Sequence, residues 1–385
     1  MELFQHSVDR YPIFKSLQEK TAALKDESRA SAQSRFWRPF TSALRSNYRT
    51  SEAGQYPISD VNFVNSMDIF NKTRLDRQKN ATEIQRNQVA GNTERKTIFL
   101  EILSDYYNFI KNEQLLRLHK ENLIWLDEIV AKLKVGVEAG EFPEADLAQW
   151  KIEQLNQENL IEVDQLEIGK SEEILKRYSG MESISTDSTQ SLGEICTDSS
   201  EFSEEIFLKN CPELSTFELD KKQIQLDIRQ ERQCHIPELQ FSHTYEINKD
   251  PSGNGNQSIA QLGFNFQLPD GGRSLRIRAN KRKINGLEEE KRAQIITFQN
   301  EFRGKLKELL SGKTVLANLK KSEEISQESV AKYYQGYLKK FITCLTFIQA
   351  IKEKQTIQES GISTLINNVQ TYQYLYHVCQ GDLFK

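Results

Sequence analysis

By type, three groups of residues in this chain could do chemistry: its cysteines, one histidine among apolar positions, and a Gly-Lys-Thr run. The five cysteines are Cys196, Cys211, Cys234, Cys344 and Cys379. The count is odd, and no pair has the Cys-x-x-Cys spacing of a metal or redox site. If residues 212–234 are helical, Cys211 and Cys234 lie roughly 34 Å apart, beyond disulfide reach. The cysteines read as small buried apolar side chains. His119 has no second His or Cys at metal-ligand spacing, so it reads as a packed, hydrogen-bonded histidine. LSGKTV at 310–315 carries the end of a phosphate loop, but the glycine needed five residues before Gly312 is Lys307. That loop would also interrupt a helical stretch. The run GGRSLRIRANKRK at 271–283 could grip nucleic-acid phosphates from a helix start, or be a solvated helix face. No Ser/His/Asp or Cys/His arrangement emerges. The residues point to a non-enzyme without cofactor, metal or nucleic acid.

The elements that would carry any site are long and thin. Only 37% of the 385 residues are hydrophobic and 28% are charged, so each element can bury a stripe and not a broad face. The net charge of -4 excludes a globally basic nucleic-acid binder. No run of eighteen apolar residues exists, which excludes a helical membrane span. The opening MELFQHSVDRYPIFKSLQEK lacks a basic segment followed by an apolar one, so no secretory signal is expected in the sequence as written.

The chain repeats itself. Around Pro39 it reads FWRPFTSALRSNYRT, a Gly/Ser/Pro turn, then DVNFVNSMDIFNKTR. Around Pro237 it reads CHIPELQFSHTYEINKD, the turn PSGNGNQS, then IAQLGFNFQLPDGGR. Pro39 to Arg74 spans 35 positions and Pro237 to Arg273 spans 36. A proline-free stretch follows each unit, 72–135 and 273–335, about 95 Å long if helical. Glycine then punctuates each, in VEAGEFPEADL at 137–147 and in YYQGYLKKFI at 333–342, before a return helix ending on KRYSG or CQGDL. The repeated unit is hairpin, long helix, sharp turn and return helix. Between the copies, residues 181–206 hold seven serines and read as irregular. Phe109, Leu116, Leu123, Leu126, Val130, Leu133 and Val137 step by seven, then by three and four, as coiled-coil seams do, and His119 falls among them.

The strands alternate. Val61, Phe63, Met67 and Ile69 share one face, opposite Asn62, Ser66 and Asp68. Leu239, Phe241, Tyr245 and Ile247 oppose Glu238, Gln240, Ser242 and Thr244, and Leu262, Phe264, Phe266 and Leu268 oppose Gly263, Asn265 and Gln267. Phe40, Leu44 and Tyr48 form a weaker first strand. One apolar and one polar face suit a soluble sheet with a wet side, or a membrane barrel around water. Four strands cannot close a barrel, and open edges are not tolerated in lipid. A membrane reading therefore requires several chains to donate two hairpins each.

This layout resembles the TolC family of outer-membrane efflux channels, also called outer membrane factors, over nearly the whole chain. IPELQFSHTYEI…QLGFNFQLPDGG and YYQGYLKK carry it most specifically. VEAGEFPEADLAQW looks like the family's Gly-x-x-Ser/Thr-x-x-Asp-Leu tip, with Pro143 where Ser or Thr is usual. The resemblance implies an α+β, mainly α fold. Long antiparallel coiled-coil helices would form an α-barrel, and two β-hairpins per chain would contribute to a trimeric transmembrane β-barrel. It implies an outer-membrane homotrimer with a periplasmic tunnel, serving tripartite efflux or type I secretion. The implied partners are outer-membrane lipid, a periplasmic adaptor (membrane fusion) protein and an inner-membrane ABC or RND transporter. Val61, Phe63, Met67, Ile69, Leu239, Phe241, Tyr245, Leu262, Phe264, Phe266 and Leu268 would face lipid. Gly140, Glu141, Pro143, Asp146, Tyr333, Gly336, Lys339 and Lys340 would form the adaptor-contacting tip and gate, with Gly140 and Gly336 as its two glycines. Some family members narrow the tip with aspartates; here lysines and apolar residues fill 337–345, so a cation-selective acidic gate is not expected.

The organisation expected is an N-terminal helical segment at 1–38, the first hairpin at 39–71 and the first helix pair at 72–180. An irregular equatorial insert at 181–211, a helix at 212–235, the second hairpin at 236–270 and the second helix pair at 271–385 complete it. The alternatives are a soluble coiled-coil scaffold with hairpins as docking sheets, or a non-exported relative of the channels.

Overall fold

A computed structural model describes Phe4 and residues 12–33, 41–51, 54–67, 72–180, 202–233, 238–248, 257–265 and 271–381. In order these form α1 (Pro12–Gln33), β1 (Thr41–Ser51), β2 (Gly54–Met67), α2 (Lys72–Glu138), α3 (Glu144–Ser179), α4 (Glu204–Lys209) and α5 (Pro212–Gln233). β3 (Glu238–Asn248), β4 (Gln257–Asn265), α6 (Arg273–Leu338) and α7 (Cys344–Gln380) follow. Among the described residues no helix is long and apolar enough to cross a membrane.

The chain divides into two compact units. One comprises Met1–Pro12, Asn92–Cys211 and Ile295–Lys385; the other comprises Ile13–Gly91 and Pro212–Gln294.

The second unit holds a four-stranded antiparallel sheet in the order β1-β2-β3-β4. In the same unit, α5 is laced by charge to α2 and α6. Lys79 and Arg86 of α2 pair with Asp227 and Asp220, at 2.5 and 3.2 Å. On α6, Glu288 and Lys291 pair with Lys221 and Glu218, at 2.7 and 2.5 Å. The basic run is partly consumed in the same way: Arg276 binds Glu231 through two nitrogens, at 3.0 and 3.2 Å, and Arg273 donates to the Arg232 carbonyl.

The first unit is helical, and its core follows the coiled-coil seam. Leu126, Ile129 and Leu133 of α2 pack with Trp150 of α3, Val330 and Tyr337 of α6, and Phe347, Ile348 and Ile351 of α7. Each such side chain contributes about 1.5–3 kcal/mol when fully buried. A second cluster joins Tyr107 and Ile110 to Ile366 and Val369. Both return helices end on a left-handed glycine, Gly180 and Gly381, whose N–H closes on Lys176 and His377.

One expectation is corrected here. The insert expected to be irregular over 181–211 contains helix α4, and its Phe207 is wholly buried against the rings of Phe302 and Tyr374. Serine and acid content hid a short helix anchored by Phe207 and by Glu204, which accepts from Gln299 and Arg303 of α6.

Candidate functional site

Two places gather the residues singled out above: the sheet and the pair of turns between long and return helices.

In the sheet, the register brings the apolar positions singled out above onto one face, with a few polar residues such as Asn65 and His243 among them. Leu44 pairs with Val61, which pairs with Tyr245. Met67 pairs with Leu239, which pairs with Phe264. Phe241 pairs with Leu262, and Phe63 is opposite His243. Directly paired residues lie on the same face, so Val61, Phe63, Met67, Leu239, Phe241, Tyr245, Leu262 and Phe264 occupy one face. The other face runs Arg45, Asp60, Glu246 and Gln257 in one row, and Ala43, Asn62, Thr244 and Ile259 in the next. On β4, Leu262 and Phe264 are 68% and 63% exposed, so among the described residues the apolar face is left open there. Ile69, Phe266 and Leu268 lie outside the described residues.

The turns between α2 and α3 and between α6 and α7 have the same backbone, 200 residues apart. Gly140 N–H bonds the Val137 carbonyl and Glu141 N–H bonds Gly136; Lys340 N–H bonds Tyr337 and Phe341 N–H bonds Gly336. A left-handed residue sits fourth in each, Gly140 at φ 74° and Lys340 at φ 62°. An extended N-cap follows, Pro143 and Thr343, and only the threonine side chain accepts from a helix N–H, that of Thr346. In this register Gly336 corresponds to Gly136, and Gly140 corresponds to Lys340. Gly136 and Gly336 allow a close approach: a Cβ would lie 2.6 Å from the Phe142 ring or the Ile342 terminal methyl, and the ring or the methyl would have to shift to admit it. The sequence signal that finds them is a glycine six residues before an apolar residue, repeated at the same offset.

The two turns are tied together. Tyr337 donates from its hydroxyl to Asp146 Oδ2 at 2.9 Å. Its ring stacks on Phe142 with centroids 5.5 Å apart, and Lys340 Nζ stands 6.0 Å from the same Phe142 ring. Trp150 and Phe347 meet edge to face at 5.2 Å, with Tyr333 packed at the margin. Burial, seconded by the Asp146 bond and charge, pushes the Tyr337 phenol well above its ordinary range. Burial likewise pushes the Cys344 thiol up to about 11, so it stays protonated and inert. Tyr337, Phe142 and Trp150 were not among the residues expected here. Glu141, Pro143, Lys339 and Lys340 are exposed at the outer edge, and Phe341 beside them is 83% exposed. Among the described residues no cluster of His, Cys, Asp and Glu could hold a metal.

No protein-family model matches the sequence, and no curated protein matches it. Solved structures do. The outer-membrane channel OprN aligns with a TM-score of 0.82 at 12% identity, covering 100% of this chain and 90% of that one. VceC, an outer membrane protein of Vibrio cholerae, aligns at 0.79 and 12% identity, over 98% of this chain and 95% of that one. The CmeC outer membrane channel of Campylobacter jejuni aligns at 0.79 and 11% identity, over 98% and 85%. The chain therefore has the fold of these outer-membrane channels.

Proposed function

We propose that this chain is a subunit of a homotrimeric outer-membrane channel, the passive exit duct of a tripartite efflux or type I secretion system. The observation that carries the reading is the whole-length likeness in fold to solved outer-membrane channels. The two-faced sheet gives it a physical basis. Four strands per chain leave two edges, which lipid does not tolerate; three chains supply twelve strands and close them. The apolar face then meets lipid and the polar face meets water. The long and return helices would line a periplasmic α-barrel tunnel, and the segments set out above become the hairpins, helix pairs and equatorial insert of the channel.

The paired turns form the periplasmic end, where an adaptor protein docks and an inner-membrane ABC or RND transporter delivers the cargo. Opening there requires the turns to part, and the Tyr337–Asp146 bond resists it. Lys339 and Lys340, in three copies each, disfavour cations near the axis. The duct moves solute without making or breaking a bond.

The deciding experiment expresses the full chain with any upstream in-frame codons restored, fractionates membranes and cross-links the product. An outer-membrane trimer supports the channel. A soluble monomer or dimer refutes it and leaves the repeated helices as a scaffold.

A further inference from the structure

Away from the tip turns and the sheet, one buried cluster joins three helices of the first unit. His119 of α2 is 3% exposed. Its Nδ1 lies 2.6 Å from Asp164 Oδ2 on α3, and its Nε2 lies 3.0 Å from Glu359 Oε1 on α7. Gln157 of α3 donates to the His119 carbonyl at 3.2 Å, and Gln355 of α7 donates to Glu359 Oε1 at 2.8 Å. The positions 200 residues away are Leu319, Thr364 and Asn159, so the second repeat has no copy of the cluster. It ties the first repeat's helix pair to the second repeat's return helix.

A neutral imidazole has one N–H and one lone pair. Placed between two carboxylates, it satisfies one and turns its lone pair toward the other, at a buried site where such a mismatch is costly. An imidazolium donates to both. We infer that His119, Asp164 and Glu359 form a proton-dependent clasp, which holds α2, α3 and α7 together while the ring is charged and loosens them when it is not. The charged groups facing the ring are Asp164 from α3 and Glu359 from α7. On α6, Glu323 is engaged by Gln358 at 2.9 Å and makes no bond to the ring.

The electrostatics of the site agree with this geometry. Burial opposes the charged ring, but the bonds and charges of Glu359 and Asp164 outweigh it and raise the His119 pKa. The bond from His119 lowers Glu359, and burial raises Asp164 against the pull of the same ring. A raised histidine contributes stability that is fully present below its ordinary value of 6.5 and is lost as pH rises through the raised one. A lowered Glu359 contributes stability above its ordinary 4.5 that is lost as pH falls through the lowered value. Asp164, raised, gives up its share earlier, as pH climbs through the acid range. The clasp is therefore closed below the histidine's ordinary 6.5, so long as Glu359 stays ionised, and opens as pH rises through the ring's raised value.

The test is native-state hydrogen exchange on the purified full chain between pH 6 and 9, corrected for the intrinsic rate; it does not depend on the channel reading. In the wild type, peptides containing His119, Asp164 and Glu359 should open more as pH rises, by about tenfold for each unit by which the ring's pKa is raised. In His119→Gln the same peptides should be open throughout and flat with pH. In Glu359→Gln, which removes one of the two charges, the rise should move to lower pH. Parallel pH slopes in wild type and His119→Gln, or equal protection at pH 6 and 9 in the wild type, would overturn the clasp. If His119→Gln does not fold, Glu359→Gln decides alone, and an unmoved midpoint refutes the proposal.

Discussion

Gly312 belongs to the Gly-Lys-Thr run, and the structure gives it a role that has nothing to do with phosphate. It lies inside α6, buried where α7 passes close by. A Cβ added there would collide with the side-chain amide of Asn368, which is only 3% exposed. Two effects of opposite sign follow from Gly312→Ala. Alanine is favoured over glycine inside a helix by about 1 kcal/mol. Overpacking a fitted interface costs about 1–3 kcal/mol, and a contact more than an ångström too short belongs at the upper part of that range. The single variant should therefore lose about 1–2 kcal/mol. Asn368→Ala removes the obstructing amide, whose Nδ2 has no hydrogen-bond partner among the described residues, so its own cost should be small. In that background Gly312→Ala should stabilise by about 1 kcal/mol, because only the helix preference remains. The cycle should then report a coupling of about 2–3 kcal/mol, well above the usual error of additivity. Urea unfolding of the four proteins, followed by far-ultraviolet circular dichroism, measures each corner. A stabilising Gly312→Ala in the wild-type background, or a coupling under about 0.5 kcal/mol, would refute the close-approach argument.

Three further outcomes test the sheet and the turns. Tyr337→Phe leaves half-buried Asp146 without its donor, at a cost of about 1.5–3 kcal/mol, and should speed exchange in residues 136–146; unchanged exchange would remove the latch. Lys340→Gly relieves a left-handed lysine at φ 62° and should stabilise by about 0.5–1 kcal/mol in the same unfolding assay, whereas a loss would mean that Lys340 contacts outweigh the strain. Leu262→Arg should cost about 2–4 kcal/mol in refolding into lipid vesicles if it sits near the bilayer midplane, while Gln261→Arg on the opposite face should be tolerated. Equal effects at 261 and 262 would sink the assignment of faces.

The long helices were legible because proline is absent from 72–135 and 273–335 and because Leu126 and Leu133 keep a seven-residue step. The strands were legible because period-two alternation survives in Leu262 and Phe264 against Gln261 and Gly263. What could not be read was anything set by contact between distant segments. Phe207 is wholly buried only because Phe302 and Tyr374, 95 and 167 positions away, close over it. The three-helix junction at His119 needs Glu359, 240 residues further on, and no local pattern announces that partner. His119 could be read as packed and hydrogen-bonded, but the identity of its partners belongs to the tertiary structure.

The turns show why sequence similarity fades while fold persists. One backbone path is reached twice by different residues: Gly140 takes the left-handed position at no steric cost, and Lys340 takes it under strain. Pro143 starts its helix by restricting its own φ, and Thr343 starts its helix with a side-chain cap. What does not vary is Gly136 and Gly336, because there the constraint is a ring or a methyl 2.6 Å from any added carbon. The constraint imposed by dihedral angle is met here by two different residues, whereas the close approach is met both times by glycine. The exposed edges are then free to diverge, and they have, with Glu141 on one turn and Lys339, Lys340 and Phe341 on the other. In a ring of three chains the six turns would alternate acidic with basic and aromatic. If an adaptor docks on these turns as proposed, it would either offer two kinds of socket or grip only every second turn.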